Sequence, residues 1–430
     1  MKFTNIGGAT AIVEHDGKRM LFDPWLDDGI FHGSWFHWPP ALVSLEELGR
    51  FDYVYISHIH EDHCSAGTIR HINRDAQIII MDRQPNFVLN FLRANGFDFA
   101  KIHLVPPRKG LQIADDLFVD MIEADPGNEM AYLIDSSIVI RWGGKTVFNA
   151  NDCQPHPAGV AYLNANYPEI DLALLPYSGG SGYPGCYSNL SDDEKLAERD
   201  RILRSRIAGF IENTIAIAPK YVVPFADQYV VGGERAYLNR YISHGSCPGV
   251  VSEQADAAGL STQLLLLNSG QSFDLGTEQK TPNEPYRFFT EADRDVYVKT
   301  HLSDASYDHE RVTFGPSVPI DRLVQYSRAR LWDVQRRRNT FPDTQFILEF
   351  LDTGRRFAVN LSEETARELQ PEDAPQEPYL RIGGTDTLMS MLLIGHISWN
   401  IADAALFLDY ERKPNKYDPS VYVLLNFLRI

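Results

Sequence analysis

The residues best placed to do chemistry are Ser57-His58-Ile59-His60-Glu61-Asp62-His63-Cys64, which follow the apolar run Tyr53-Val54-Tyr55-Ile56. Three imidazoles and two carboxylates stand within six positions. Alternate side chains of an extended segment share a face, so His58 and His60 fall on one side. Asp62 and His63 join them as the chain turns away, and four donors can then converge on one or two metal ions. Imidazole suits zinc, iron, manganese and nickel, while carboxylate shifts the preference toward harder ions. A histidine-rich polar loop is the plain alternative, but H-x-H-x-D-H directly after a buried strand is too dense for it. The spacing marks a metal site.

The surrounding pattern supplies strands and helices to hold that site. Residues 2–24 read as two strands, with Asp16-Gly17 as the hairpin turn before Met20-Leu21-Phe22 and Asp23-Pro24. Residues 25–40 are unusually aromatic, with Trp25, Phe31, Trp35, Phe36 and Trp38, and without clear periodicity they suggest a lid over a pocket. After the histidine cluster the expected order is a helix at 66–73, a strand at Gln77–Met81, a helix at 85–95 and a strand at Lys101–Val105. Strands follow at 117–122, 138–142 and 145–148, the last two joined by Gly143-Gly144. They deliver Asp152 to a strand terminus, where an acid after an apolar run is costly unless paired or metal-bound. The segment Tyr177-Ser178-Gly179-Gly180-Ser181-Gly182 allows close backbone approach to a site wall. Ser191-Asp192-Asp193-Glu194 is a capping box that opens a long helix to about Ala218, and a strand follows at 221–224.

H-x-H-x-D-H after a strand resembles the signature of the metallo-β-lactamase superfamily. The resemblance implies an α/β fold, an αββα sandwich, with His58 and His60 on one metal, Asp62 and His63 on a second, and Asp152 bridging both. It also exposes two departures. Where the superfamily places a third histidine, this chain offers Glu123, Asp125 and Glu129, of which Asp125 is the first choice and Glu123 the second. Where the last histidine belongs, it reads Phe225-Ala226-Asp227-Gln228, leaving Asp227 as substitute; His156, three residues beyond Cys153, could reach the second site. His156 and His244 are also the candidates if the site is ordinary dizinc after all. With so much oxygen in the set, two metal ions are expected, and iron or manganese is favoured over zinc. Residues 149–155, the 179–184 loop, Val223-Pro224-Phe225-Ala226 and Phe273-Asp274-Leu275-Gly276 narrow the resemblance to the metallo-β-lactamase-like portion of the CMP-sialic acid hydroxylase family, over roughly residues 1–276. That family's Rieske cluster has no counterpart in the four scattered cysteines, so its hydroxylase activity is not carried over.

At 430 residues, two domains are expected: a metal-binding catalytic domain over 1–276 and a smaller α+β domain over 291–430, joined by a polar, proline-containing linker at 277–290. In the second, residues 346–350 and 356–360 form a hairpin through Asp352-Thr353-Gly354, and 386–408 is apolar at helical spacing. The arginines between Arg328 and Arg338 suggest a solvated helix face or contact with a phosphorylated carrier such as coenzyme A. A structural cap or homodimer surface is the other use of this region. A net charge of −18 argues against a nucleic-acid partner, and no stretch approaches the ~20 apolar residues of a membrane span, so a cytoplasmic protein is expected. The expected activity is hydrolysis of an ester-like bond in a small molecule, with a thioester of the acyl-CoA type and an apolar acyl group suggested by the aromatic 25–40 loop. A non-haem diiron oxygenase and a non-catalytic metal-binding protein are the alternatives.

Overall fold

The structure is a computed structural model that describes residues 1–242, 249–312 and 319–430; His244 and Cys247 lie outside the described residues, as does the side chain of Glu129. Two large sheets face each other. One has eight strands, in which Lys18–Phe22, Tyr53–Tyr55, Gln77–Met81 and Lys101–Val105 run parallel. The other has seven, in which Lys145–Asn149, Leu172–Pro176, Tyr221–Phe225 and Gln263–Leu264 run parallel.

The period-2 alternation of strands assigns each residue a layer. In Gln77–Met81, Ile79 and Met81 enter the core between the sheets, while Ile78 and Ile80 meet the helices outside. In Ser136–Trp142, Ile138 and Ile140 face inward and Val139 outward. Outer layers come from Ala66–His71 and Phe87–Ala94 on one side, and from Pro157–Asn166 and Asp192–Ile217 on the other. This is the expected αββα sandwich. The expected capping box is present: the Ser191 side chain accepts from the Glu194 N–H, and the helix runs to Ile217. One strand was missed at the start, since Lys2–Gly7 pairs with Thr10–His15 through a turn at Gly8-Ala9, before the hairpin at Asp16-Gly17.

The second half adds a five-stranded sheet with the helices Ile320–Arg338 and Asp386–Leu393 on one face. Residues 386–408 are not one helix. Gly395, at φ +73°, ends the first segment, and Trp399–Ala404 forms a second. Arg328 is not on a solvated face either. It is buried, with Nη1 bonded to the Gln335 amide oxygen at 2.8 Å and Nη2 to the Glu363 carbonyl at 2.7 Å. Among the described residues no helix is long and apolar enough to cross a membrane.

The aromatic loop is core rather than lid. Trp25, Phe31, Trp35 and Trp38 are all buried. The strand Trp35–His37 pairs with Tyr229–Val231, and Trp35 stacks on Tyr229 with ring centroids 3.4 Å apart. Trp35 Nε1 donates to the Ala404 carbonyl at 2.8 Å, and Ser34 Oγ to Ala405 at 2.9 Å. A rigid indole stack buries much apolar area at low entropic cost, so the loop serves as the seam between the two halves.

Residues 279–281 pair as a strand with Ser272–Asp274, so the first unit extends into the expected linker. We place the domain division beyond them, in the largely exposed 282–290 stretch. Limited proteolysis of the native protein is expected to cut there first, and the two fragments should still co-elute because Trp25, Ile30 and Trp35 share one core with Leu388, Trp399 and Phe407. First cleavage inside 100–240 with 282–290 resistant, or fragments that separate freely, would contradict this division.

Candidate metal centre

Parallel strands bring their C-terminal ends to one edge of each sheet, and the candidate residues come from the loops just beyond those ends. Asp23 follows Lys18–Phe22, the histidine cluster follows Tyr53–Tyr55, Asp152 follows Lys145–Asn149, and Asp227 follows Tyr221–Phe225. Several of these turns use the left-handed region: Asp23 at φ +42°, Asn151 at +45°, Ala226 at +58° and Gln228 at +83°. For Ala226 and Gln228 such a backbone is strained, and strain of this kind gathers where a fold must aim side chains.

His58, His63 and Asp152 each offer a ligand atom within 4.8 Å of the others. His58 and His63 are fully buried, whereas the Asp152 side chain is 39% exposed and forms the open side. His58 Nδ1 meets Ser57 Oγ at 2.9 Å, and its Nε2 faces His60 Nδ1 at 2.9 Å. His63 Nδ1 is fixed by Asp23 at 2.9 Å, which aims Nε2 into the cluster. There it lies 3.4 Å from Asp62 and 3.4 Å from Asp152, too long for good hydrogen bonds, and it has no other partner among the described residues. Burial opposes a charged His63, yet Asp62, Asp152 and Asp23 together hold its imidazole well above the usual histidine range. Burial and the neighbouring His63 and His60 keep His58 well below that range, so it is a neutral donor. A buried nitrogen aimed between two carboxylates, with a neutral imidazole beside it, fits a metal cation.

Asp152 is held by its own turn. Asn151 Oδ1 accepts the Asp152 N–H at 2.8 Å, and Asn151 Nδ2 donates to the Ser136 carbonyl at 2.9 Å. Asp227 is buried; burial pushes its carboxyl up to about 7 against hydrogen bonds from Tyr177 and Ser178, and the charge on Asp152 adds to the rise. Glu123 is engaged by Arg108 at 3.0 Å, and Asp125 is exposed and accepts the Gly127 N–H at 2.8 Å in a local turn. His156 packs on its own helix beside Gly159 and Ile122. The structure thus gathers His58, His60, Asp62, His63 and Asp152, with Asp227 within electrostatic reach, and leaves Glu123, Asp125 and His156 in other contacts.

Three residues near the centre were not singled out from sequence. Asp23 carried the same signal as Asp152, an acid directly after an apolar strand. Asp135 precedes the strand Ser136–Trp142; burial and Asp152 push its carboxyl up to about 7. Asn400 reaches in from the second half, its Oδ1 2.9 Å from His60 Nε2, and no local pattern could have announced it.

The αββα sandwich carries, in its strand-end loops, a His/Asp cluster that can hold a metal ion. Residues 18–181 match the model of the beta-lactamase superfamily domain. The chain is similar to a Mycobacterium tuberculosis protein named for a Rieske 2Fe-2S iron-sulfur centre, 32% identical over 196 residues, covering 44% of this chain and 36% of the relative. It is also similar to cytidine monophosphate-N-acetylneuraminic acid hydroxylase of Sus scrofa, 25% identical over 277 residues, covering 62% and 60%. Igni18, a metallo hydrolase from Ignicoccus hospitalis, superposes with a TM-score of 0.43 at 18% identity, covering 64% of this chain and 98% of that one. The chain spans only about a third of the first of these relatives and less than two thirds of the second.

Replacing His58 with Ala is expected to abolish metal binding at its site in a protein whose circular dichroism is unchanged. Asp23→Asn should lower metal affinity by about 10- to 100-fold, the usual effect of losing the partner that orients a ligand imidazole. Elemental analysis and chelator competition read both. Full metal content in His58→Ala would refute the ligand assignment.

Proposed function

We propose that the chain is a dinuclear metal-dependent hydrolase acting on an ester-like bond of a small molecule. The observation that supports it is the buried pair His58 and His63 facing the open carboxylate Asp152 at one sheet edge. In this reading His58 and His60 would hold one ion and Asp62 and His63 the other, with Asp152 as a further carboxylate donor. Asp227 is the remaining carboxylate in reach, and Asp125 and Glu123 would have to leave their present partners to join. A metal bound there supplies Lewis acidity and lowers the pKa of water toward neutrality. The chain's own part is to fix the donors: Asp23 orients His63, Ser57 orients His58, and Asn151 orients Asp152. Iron or manganese suits this oxygen-rich set better than zinc. The aromatic loop that would have received an apolar acyl chain is closed into the core, so a thioester of the acyl-CoA type rests on the superfamily resemblance alone.

A second reading, a diiron oxygenase, draws on the same carboxylates and on the similarity to a hydroxylase over 62% of the chain. Oxygen separates the two. Metal-loaded protein is expected to hydrolyse members of an ester and thioester panel at the same rate with and without O₂, and to lose that activity in His58→Ala. Turnover that requires O₂ would select the oxygenase, and tight metal binding without turnover on either panel would select a binding protein. Two zinc ions per chain with full activity would overturn the metal preference.

A further inference from the structure

Between the two halves lies a cavity of about 1080 Å³, the size of a small-molecule site. Its charged lining is Arg201, Arg206, Arg338 and Arg412 against only Glu198 and Asp403. In a chain of net charge −18, four arginines on one cavity are a local reversal of sign.

Arg412 is the informative one. It is 8% exposed, and its hydrogen-bond partners are all neutral: Asn415 Oδ1 at 2.8 and 3.2 Å, and the Tyr422 hydroxyl at 2.9 Å. Its guanidinium also sits 5.1 and 5.2 Å from the ring centres of Tyr183 and Tyr187. The nearby carboxylates are otherwise committed. Glu198 pairs with Arg201 at 2.8 Å and accepts from the Tyr183 hydroxyl at 2.9 Å. Burial holds the Asp403 carboxyl up, and it accepts the Gly182 N–H at 3.4 Å. A buried guanidinium without a carboxylate partner is costly, and an anionic ligand offsets that cost. Arg206 is exposed and lies beside Gly179, again without a carboxylate partner among the described residues. Asn400 lines the same cavity and touches His60, which joins it to the metal centre.

We propose that this cavity is the substrate site and takes a small organic anion, its carboxylate or phosphate group held by Arg412 and Arg206 between tyrosine walls, with the reacting bond at the His60 end. The placement of the reacting bond rests on the metal-centre reading; anion binding does not.

The test uses the full-length chain stripped with EDTA, so that metal cannot contribute, and isothermal titration with phenyl phosphate, benzoate and neutral benzyl alcohol. At least one anion should bind saturably and benzyl alcohol should not. Arg412→Gln should weaken binding by about tenfold or more, and Arg206→Gln several-fold. Binding of phenyl phosphate alone supports a phosphate group, of benzoate alone a carboxylate, and of both a site that reads charge. Arg206 is exposed and lacks an ion pair, so its variant keeps the test open if Arg412→Gln does not fold. No anion binding at or below ~10 mM, equal binding of benzyl alcohol, or unchanged affinity in Arg206→Gln would overturn the proposal. Metal uptake without anion binding refutes this inference alone, and anion binding without metal uptake refutes the metal centre alone.

Discussion

The Asp23 carboxylate is the interaction on which the centre depends. It is fully buried, and it accepts from the Ser57 N–H at 2.7 Å, the Ser57 hydroxyl at 2.8 Å and His63 Nδ1 at 2.9 Å. One group thereby ties the end of the Lys18–Phe22 strand to both ends of the histidine loop. Burial raises its carboxyl above the ordinary range, and the charge and hydrogen bond of His63 oppose that rise. The same network crosses to the other sheet, because Ser136 Oγ donates to the Ser57 carbonyl at 2.7 Å and the Tyr55 hydroxyl to the Ser136 carbonyl at 3.0 Å. Hydrogen bonds to charged groups in a low-dielectric interior are stronger than neutral ones, and leaving one unmade costs more. The loop geometry is therefore set by buried partners on both sheets rather than by the loop's own sequence.

The second half is built into the first. Its Trp399–Ala404 helix lies against the aromatic loop, and Arg235 from the first half donates to the Leu406 carbonyl at 2.8 Å and pairs with Asp409 at 2.9 Å. Across the seam the Ser188 N–H donates to the Tyr410 carbonyl at 2.7 Å and the Tyr410 N–H to the Cys186 carbonyl at 2.8 Å. A seam this apolar and this well bonded holds its two sides in fixed register, and that register carries Asn400 to His60 and Arg412 to the tyrosines of the 183–187 loop. The cavity exists only because both halves form its walls.

The sandwich was legible because local signals and burial agree in it. Gln77–Met81 and Lys101–Val105 were read with their observed limits, and the Gly143-Gly144 turn and Ser191 cap fell where steric and hydrogen-bonding rules put them. The misreadings share a cause: composition does not tell a buried seam from an open pocket. Aromatics without periodicity at 25–40 suit either, and only the partner surface, some 370 residues away at Ala404 and Ala405, decides between them. Arg328 was misread likewise, its charge visible in sequence and its buried amide partner not. In the centre, the contiguous donors His58 to His63 and the strand-end Asp152 were readable from spacing. Asp135 and Asn400 were not, since nothing local distinguishes them from ordinary polar residues.

The electrostatics of the centre ask for positive charge. Asp23, Asp62, Asp135, Asp152 and Asp227 all act on one another or on His63 across a small, largely buried volume. Arg83 is the fixed cation among the groups acting on Asp135, and burial lowers even its basicity. Carboxylates that repel one another in low dielectric either take up protons or gather a cation, and burial with the charge of Asp152 pushes the carboxyls of Asp135 and Asp227 up to about 7. A protonated His63 supplies one positive charge, whereas a divalent ion supplies two and is often the largest local charge in such a site. Beyond Asn400, which touches His60, the cavity lining turns basic, with Arg201, Arg206, Arg338 and Arg412. Charge therefore changes sign over a short distance, acidic at the strand ends and basic in the cavity beside them, with Asn400 at the junction.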